Sequence, residues 1–306
     1  MKILVTGGAG YVGTKLVKQL VNADLVHEVI VYDNLSRGNY NLFIGKPIVH
    51  GEKITFIQGD ILDRRSFQKA LKGIDFVFHL AAKVTTPFAN TDPHYFEQIN
   101  HWGTAEVVYS IEESDVRQLI HVSSTSVYGS TDNIVDETSP LNPRTFYGTS
   151  KRRAEEHVMR LVNKGRATII RSGNVYGYSK SMRFDAVINK YAFETNFHNR
   201  ITIQGSGHQH RAFIHVDDLV HDLAKLIDHD DDHGIYNLVS KNLTVMDIAD
   251  VFKSLRPELE FLFIDQHLDL RNIQVNTDLK LGSLIELAKP KSIQDELAEF
   301  LDNFSY

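Results

Sequence analysis

The sequence has no cysteine among its 306 residues. That absence excludes disulfides, thiolate metal sites and cysteine nucleophiles, and it fits a reducing compartment such as the cytoplasm. No apolar run approaches the ~20 residues of a membrane-spanning helix, and the first predicted strand begins at residue 2, which leaves no room for a signal peptide. The net charge of −6 argues against a general nucleic-acid or membrane-surface binder. We therefore predict a soluble, cytoplasmic globular protein with no metal site.

Glycine is concentrated in one segment near the N-terminus, 6–13, which reads TGGAGYVG and directly follows a short apolar run. Apolar residues recur at helical spacing behind it, so the segment is predicted to be a strand-to-helix turn. In such a turn Gly7 permits the sharp bend, Gly10 lets backbone approach a pyrophosphate, and Gly13 lets the helix pack on the strand. The helix N-terminus offers unpaired N–H groups to the phosphates. The segment therefore predicts a dinucleotide-binding site, with a structural glycine turn as the alternative.

An acidic residue follows the second predicted strand. Asp33 ends the run 28–32 and lies twenty residues after Gly13, where dinucleotide-binding folds place the acid that binds the adenosine ribose. Its carboxylate accepts hydrogen bonds from ribose hydroxyls but repels a 2′-phosphate, so we predict NAD rather than NADP. Arg37 is close enough to keep NADP open, and a plain turn carboxylate is the alternative for Asp33.

Strands and helices alternate through residues 1–171, which predicts a parallel sheet with right-handed crossovers. The expected fold is α/β, a Rossmann-like doubly wound parallel sheet in 1–171, followed by a smaller mixed α/β substrate-binding region in 172–306. Part of 212–239 is expected to return to the first layer. Ligands bind beyond the carboxyl ends of such strands, so Asp60, Ala81 and Ala82 should line the cofactor cleft.

A tyrosine and a lysine lie four residues apart at the start of a predicted helix. Tyr147 and Lys151 therefore share one helix face. A tyrosine that acts as a base near neutral pH must lose about three pKa units, and a neighbouring ammonium and the nicotinamide cation favour that change. Ser124, at the end of the fifth predicted strand, can hydrogen-bond the same reacting oxygen. The pattern predicts a phenolate that takes a hydroxyl proton while NAD takes the hydride; a surface tyrosine and a solvated lysine are the alternative.

The order of these motifs resembles the extended short-chain dehydrogenases/reductases of the nucleotide-sugar epimerase/dehydratase group. The resemblance rests on segments 6–13, 59–60, 79–82, 123–129, 147–151 and 211–218. It implies that Tyr147 is the base, that Ser124 assists it, and that Lys151 holds the nicotinamide ribose. The implied cofactor-binding set is Gly7, Gly10, Tyr11, Val12, Gly13, Asp33, Asn34, Asp60, Ile61, Leu80, Ala81, Ala82, Lys83, Asn100, Ser123, Tyr147 and Lys151.

The same resemblance implies a nucleotide-diphosphate sugar as the substrate. In an acidic protein a diphosphate requires locally placed bidentate donors, which arginine supplies. Single arginines are more often solvated surface residues, and this remains the alternative for Arg183 and Arg271. The implied substrate-binding set is Ser124, Thr125, Asn174, Arg183, Arg211 and Arg271.

The residues of the catalytic segment favour one reaction of the group. Members that remove water carry an acidic pair where this chain has Thr125 and Ser126, and 3,5-epimerases use a cysteine, which is absent. The hydroxyls of Thr125 and Ser126 cannot expel water by general acid/base work at neutral pH. Sugar-acid decarboxylases of the group usually carry a glutamate in place of Ser126, so among the reactions that the resemblance implies, 4-epimerisation with NAD remains. Ser172–Gly173 stands where UDP-glucose 4-epimerases carry aromatic residues, so a 4-ketosugar reductase or dehydrogenase that consumes NAD(P) is the alternative, and a non-catalytic NAD-binding sensor is a remote one.

Two long predicted helices, 93–115 and 145–163, match those through which relatives pair, so we expect a homodimer. Apolar stripes on these helices support the expectation; they comprise Val107, Val108, Ile111, Val158, Met159 and Val162. Ordinary core packing would explain the stripes equally well, since every crossover helix buries one face.

Overall fold

The computed structural model describes residues 1–38, 40–84, 92–229, 233–265 and 271–304. In these ranges the strands are β1 (Lys2–Thr6), β2 (Glu28–Asp33), β3 (Ile54–Gln58), β4 (Phe76–His79), β5 (Gln118–Ser124), β6 (Ile134–Val135), β7 (Ala167–Ser172), β8 (Asn174–Tyr176), β9 (Arg200–Gln204), β10 (His210–His215), β11 (Gly234–Leu238), β12 (Lys241–Thr244), β13 (Glu260–Ile264) and β14 (Gln274–Val275). The α-helices are α1 (Tyr11–Val21), α2 (Arg64–Ala70), α3 (Pro93–Phe96), α4 (Gly103–Glu112), α5 (Phe146–Val162), α6 (Val187–His198), α7 (Val216–Lys225), α8 (Val245–Leu255) and α9 (Ile293–Asp302). Among the described residues, no helix combines the length and apolar character that crossing a membrane requires.

Seven parallel strands form the central sheet in the order β11-β7-β5-β4-β1-β2-β3. From β1 the chain runs outward through β2 and β3, then returns to build β4, β5, β7 and β11 on the other side. The strand order therefore reverses between β1 and β4, and ligands bind at such a reversal in open α/β sheets. This topology confirms the predicted Rossmann-like doubly wound sheet.

Helices cover both faces of the sheet because its strands are apolar on both sides. Successive side chains of a strand point to opposite faces. In β1, Ile3 and Val5 pack into the cluster under α1 and α7, whereas Leu4 packs into the cluster under α2, α4 and α5. All three are fully buried. The continuous apolar runs of the sequence thus place the helices on two layers.

The helix predicted at 145–163 is α5, Phe146–Val162. The helix predicted at 93–115 ends at Glu112 and contains a π-helical stretch, Glu97–Trp102, between α3 and α4. That stretch gave no signal in the apolar spacing. The bounds of regular helices followed from the sequence, but the change of helix type did not.

A second set of elements lies beyond the central sheet. It comprises a small sheet of order β12-β10-β8, the parallel pair β13–β9, and the helices α6, α8 and α9. Phe213, Phe252 and Phe300 belong to its core. Within the 212–239 stretch, β11 pairs with β7 in the central sheet, whereas β10 pairs with β8 and β12 in the small one.

Candidate active site

The glycine-rich turn joins β1 to α1 with backbone approaches that only glycine allows. Gly7 has φ +70°, and a Cβ there would lie 2.7 Å from the backbone nitrogen of Ala81. A Cβ on Gly13 would lie 2.3 Å from the carbonyl oxygen of Gly7. Gly10 is the N-cap of α1, and among the described residues no side chain caps that end. The turn thus presents bare backbone and free N–H groups to a ligand, which fits a dinucleotide pyrophosphate.

A cleft opens from this turn at the point where the strand order reverses. Thirteen of the predicted cofactor residues line it: Gly7, Gly10, Tyr11, Val12, Gly13, Asp33, Asn34, Asp60, Ile61, Leu80, Ala81, Ala82 and Lys83. The cleft is also lined by residues that were not among those predicted, including Tyr32, Gly59, Val84, Tyr95 and Ile99. Strand-end motifs marked the first group, whereas Tyr95 and Ile99 come from a later helical segment whose position depends on tertiary packing.

Acidic side chains are fixed on the β2–β3 side of the cleft. The Asp33 carboxylate accepts hydrogen bonds from the N–H groups of Ala9 and Leu35, at 3.0 and 2.8 Å. Asn34 donates to the Asp60 carboxylate at 3.0 Å. These bonds hold Asp33 rigidly beside the glycine-rich turn, with lone pairs remaining for ribose hydroxyls. The geometry fits the predicted NAD ribose.

Two predicted cofactor residues lie behind the cleft surface. Asn100 is 1% exposed; its side chain accepts from the Lys83 N–H at 2.7 Å and donates to the Lys83 carbonyl at 3.1 Å. It therefore supports the cleft-lining segment at Lys83. Ser123 is also buried, and its hydroxyl donates to Glu155. Glu155 in turn forms a buried ion pair with Arg171.

A segment of the second half, 177–185, is tied to the glycine-rich turn. The Tyr11 hydroxyl donates to the Gly177 carbonyl at 2.6 Å, and the hydroxyls of Ser179 and Ser181 donate to the carbonyls of Tyr11 and Ala9 at 2.8 Å. These contacts bring Arg183 to the wall of the cofactor cleft. Arg183, predicted to bind the substrate, thus lines the cofactor cleft and pairs with Asp185 at 3.1 Å.

The predicted catalytic side chains converge where β5 ends and α5 begins. The Ser124 hydroxyl acts on Tyr147 through hydrogen bonding that lowers the pKa of the phenol. Ser124 also accepts from the Ser126 hydroxyl at 2.7 Å and from the Ser126 N–H at 3.2 Å. The Lys151 ammonium donates to the carbonyl of Val122 at 2.9 Å. The site therefore contains a tyrosine, a serine and a lysine held by two adjoining elements.

The electrostatics of Tyr147 differ from the prediction. Burial raises the pKa of Tyr147, and the groups that oppose this rise are the Arg183 guanidinium, the Ser124 hydroxyl and the Arg271 guanidinium. Lys151 was expected to lower it, but burial lowers the pKa of Lys151 itself to about 8, with Glu155 opposing that change. Without a bound cofactor, Tyr147 is protonated at neutral pH, so its activation depends on the charges that ligands add.

Two arginines come together on the substrate side. Burial, and then the charge of Arg271, lower the pKa of Arg211 to about 10. Arg271 comes within 3.5 Å of the Thr145 hydroxyl and interacts with Tyr147. In the described part of the chain, neither guanidinium is paired with a carboxylate. Two desolvated cations side by side form a site for an anion.

The remaining predicted substrate residues differ in accessibility. Asn174 is exposed, and its amide donates to the Ala212 carbonyl at 3.0 Å, beside the strand that carries Arg211. Thr125 is only 3% exposed and therefore offers little surface to a substrate. Ser172 occupies a position at which UDP-glucose 4-epimerases are expected to carry an aromatic residue. It is buried, and its hydroxyl donates to the Ser123 carbonyl at 3.3 Å.

Comparisons with known proteins agree with this geometry. Residues 3–238 match the model of the family described as "NAD dependent epimerase/dehydratase family". A Methanocaldococcus jannaschii protein, provisionally named UDP-glucose 4-epimerase, is 31% identical over 259 residues, which are 82% of this chain and 81% of that protein. Mouse dTDP-D-glucose 4,6-dehydratase is 33% identical over 245 residues, covering 78% of this chain and 67% of that enzyme.

Among solved structures, the UDP-glucuronic acid 4-epimerase of Bacillus cereus, in complex with UDP-glucuronic acid and NAD, is similar with a TM-score of 0.85. It is 25% identical, and the match covers 99% of this chain and 98% of that one. The relatives therefore include both epimerases and dehydratases. By its sequence match, its sheet topology and its dinucleotide cleft, the chain belongs to the NAD-dependent epimerase/dehydratase family of enzymes.

Proposed function

We propose that this protein is an NAD-dependent nucleotide-sugar 4-epimerase. The observation that supports this most directly is the place of Tyr147. Three groups oppose the rise that burial causes in its pKa: Arg183, which lines the cofactor cleft, the Ser124 hydroxyl, and Arg271, which neighbours Arg211. A sugar hydroxyl at Tyr147 would thus lie near both a bound dinucleotide and a bound diphosphate.

The residues of this site suit the transient oxidation of a secondary alcohol. Tyr147 takes the proton of the C4 hydroxyl, and Ser124 donates a hydrogen bond to the same oxygen as it becomes a ketone. Lys151, buried one helical turn after the tyrosine, contributes positive charge to the site while it is protonated. When bound, NAD would supply the acceptor for the C4 hydride and the donor for its return to the opposite face of the ring. Tyr147 then gives the proton back to the oxygen.

The anion site accounts for substrate recognition. A nucleoside diphosphate would neutralise Arg211 and Arg271, whose mutual repulsion and desolvation are otherwise unfavourable. Binding energy from the nucleotide part can then hold the sugar against Tyr147. In a protein with net charge −6, this local pair supplies the attraction that the whole molecule does not.

The catalytic turn favours epimerisation over loss of water. Positions 125 and 126 carry a buried threonine and a serine that is hydrogen-bonded to Ser124. These two hydroxyls cannot serve as the general acid and general base that loss of water requires near neutral pH. The dehydratases among the relatives thus share the fold and family of this chain, and we infer that they differ from it in the reaction.

The proposal is tested by measuring bound NAD in the purified protein and screening a panel of nucleotide sugars by chromatography. A 4-epimerase carries NAD in a ratio near one to one and interconverts two C4 epimers with no added cofactor. Stoichiometric consumption of NADH or NADPH with a 4-ketosugar would instead identify a reductase. Formation of a 4-keto-6-deoxy product would contradict the proposal in favour of a dehydratase.

We also propose that the protein forms a homodimer through the outer face of α4 and α5. The apolar stripes that first suggested this pack against the chain's own sheet; Val107, Val108, Ile111 and Val158 are fully buried. The support lies at the start of α4, where Trp102 is the N-cap and is 54% exposed, with its ring tilted against that of His101. In sedimentation experiments the wild type should be a dimer and Trp102→Glu a monomer. A monomeric wild type would contradict the proposal.

The cytoplasmic location stays a prediction.

A further inference from the structure

Ser126 is the hydroxyl in the catalytic turn to which the proposed reaction gives no role. It follows the proposed catalytic serine by two residues, and its own hydroxyl lies 2.7 Å from the Ser124 oxygen. Its backbone N–H points to the same oxygen at 3.2 Å. Ser124 therefore receives two hydrogen bonds from one residue.

The valence of a hydroxyl limits what Ser124 can do next. A serine oxygen has one proton to donate and two lone pairs that accept. Both lone pairs are used by Ser126, so any hydrogen bond from Ser124 to Tyr147 can use only the Ser124 proton. This agrees with the direction in which the Ser124 hydroxyl acts, since it lowers the pKa of Tyr147. Ser124 is thus restricted to donating toward the tyrosine oxygen, or toward a substrate oxygen that takes its place. A donor at that point favours the phenolate and the ketone, which are the forms that carry negative charge.

The placement of Ser126 is rigid. Its carbonyl accepts from the Gly129 N–H at 3.3 Å, and a Cβ on Gly148 would lie 2.7 Å from that carbonyl oxygen. On the following turn, the buried Tyr128 donates to Asn237 at 2.7 Å and accepts from Arg171 at 3.0 Å. The turn is therefore fixed both to the start of α5 and to the central sheet, which keeps the Ser126 hydroxyl aimed at Ser124.

The geometry points to Ser126 as a positioning residue that orients the Ser124 hydroxyl as an obligate donor to the reacting oxygen. The inference rests on the proposed function, because it deepens the role of the same tyrosine. Removal of the Ser126 hydroxyl frees one lone pair on Ser124. Ser124 can then accept a hydrogen bond from protonated Tyr147. The neutral tyrosine is stabilised, so the pKa of Tyr147 rises.

The test compares Ser126→Ala, Ser126→Thr and the wild type over a range of pH. Because the tyrosine must be deprotonated to take a proton, kcat/KM rises with pH along an acidic limb. In Ser126→Ala we expect this limb to move to higher pH and kcat/KM below it to fall about five- to tenfold, the effect of one hydrogen bond. Ser126→Thr keeps a hydroxyl and should restore the wild-type profile. Spectrophotometric titration of tyrosinate, with Tyr147→Phe as the blank, should show the same direction of change without turnover.

Controls separate a positioning role from a structural one. Ser254→Ala removes one exposed hydroxyl from α8, far along the chain from the turn, and should leave the profile unchanged. The inference would be overturned if Ser126→Ala lowered the high-pH plateau of kcat/KM and left the acidic limb at its wild-type pH. A kcat/KM profile identical to that of wild type would overturn it as well. If Ser124→Ala and Tyr147→Phe also kept full turnover, the proposed function itself would fail, so the two failures are distinguishable.

Discussion

Tyr147 is the base in the proposed reaction, and its surroundings have opposing effects on its ionisation. Burial favours its neutral form, while Arg183, Ser124 and Arg271 favour its phenolate. The Tyr147→Phe variant removes the base but keeps the ring and its packing. We expect kcat to fall about 10²- to 10⁴-fold with bound NAD retained, because the variant loses proton transfer only.

Steady-state kinetics together with the NAD content of the purified variant check this expectation. Tyr40→Phe is a matched control, since Tyr40 is 59% exposed. Turnover of Tyr147→Phe within a few-fold of wild type would remove the basis for assigning this residue as the base.

The pairing of Arg211 and Arg271 predicts a trade between binding and stability. Each guanidinium is desolvated, and Arg211 is further disfavoured by the charge of Arg271. We expect Arg211→Ala to raise KM for the nucleotide sugar about tenfold or more, since a charge-assisted contact is lost. The free protein should be no less stable, because one unfavourable charge is removed. Kinetics and thermal unfolding without ligand measure both effects; an unchanged KM with a lower Tm would contradict the assignment.

Residues that line the cleft could be anticipated wherever a motif sits at the carboxyl end of a strand. The residues from Gly7 to Lys83 follow from the strand positions and the rules of parallel sheets. The position of Arg183 at this cleft was not anticipated, because it is set by bonds from Ser179 and Ser181 to a turn some 170 residues earlier. Its role in substrate binding stays a prediction. Spacing along the chain contains no signal for such contacts.

The junction between the catalytic turn and α5 depends on a glycine. A Cβ on Gly148 would lie 2.7 Å from the carbonyl oxygen of Ser126 and 3.0 Å from Pro143. Gly148→Ala should therefore push the start of α5, with Tyr147, away from Ser124. We expect a fall in kcat of at least tenfold and a loss of about 1–3 kcal/mol in the free energy of unfolding.

Gly51→Ala provides the comparison, because a Cβ there lies 3.9 Å from its nearest neighbour and the residue has no left-handed φ. Kinetics and denaturant unfolding of both variants give the result. Equal behaviour of the two would show that the close approach at Gly148 is not needed for catalysis.

The periodicity of apolar residues predicted the regular helices and strands, but it did not predict where the backbone departs from regular geometry. α5 was anticipated over 145–163, and Thr145 caps its start. The π-helical stretch Glu97–Trp102 changes the helix without changing the composition. The sequence did not indicate which part of 212–239 joins the first layer: β11 does, whereas β10 pairs with β8 and β12, since pairing partners distant in sequence leave no local mark.

The whole molecule should show a pH-dependent stability that originates at one acidic group. Burial, and then the charge of Glu296, raise the pKa of Asp218 to about 6, above its unfolded value of 3.8. A raised folded pKa means that the folded state holds the proton more tightly, so this contribution is full below about pH 4 and is lost as the pH rises through 6. Asp218→Asn should therefore stabilise the protein at pH 8 and change little at pH 4.

At pH 8 we expect Asp218→Asn to have a free energy of unfolding about 1–2 kcal/mol above that of wild type. This is less than the full pKa shift of Asp218 corresponds to, because the side chain is partly exposed. Denaturant unfolding of variant and wild type at both pH values gives the difference directly. Many other carboxylates titrate in the same range, so the comparison between the two proteins is the informative quantity. A variant that is less stable at pH 8 would contradict the electrostatic origin.

The central assignment concerns the fate of one hydride, which a nucleotide sugar labelled with deuterium at C4 can follow. Incubated with the NAD-loaded protein and no added cofactor, the label should be found at C4 of both epimers, because the hydride leaves that carbon and returns to it in one turnover. Deuterium found at another carbon of the sugar, or in free NADH, would contradict 4-epimerisation.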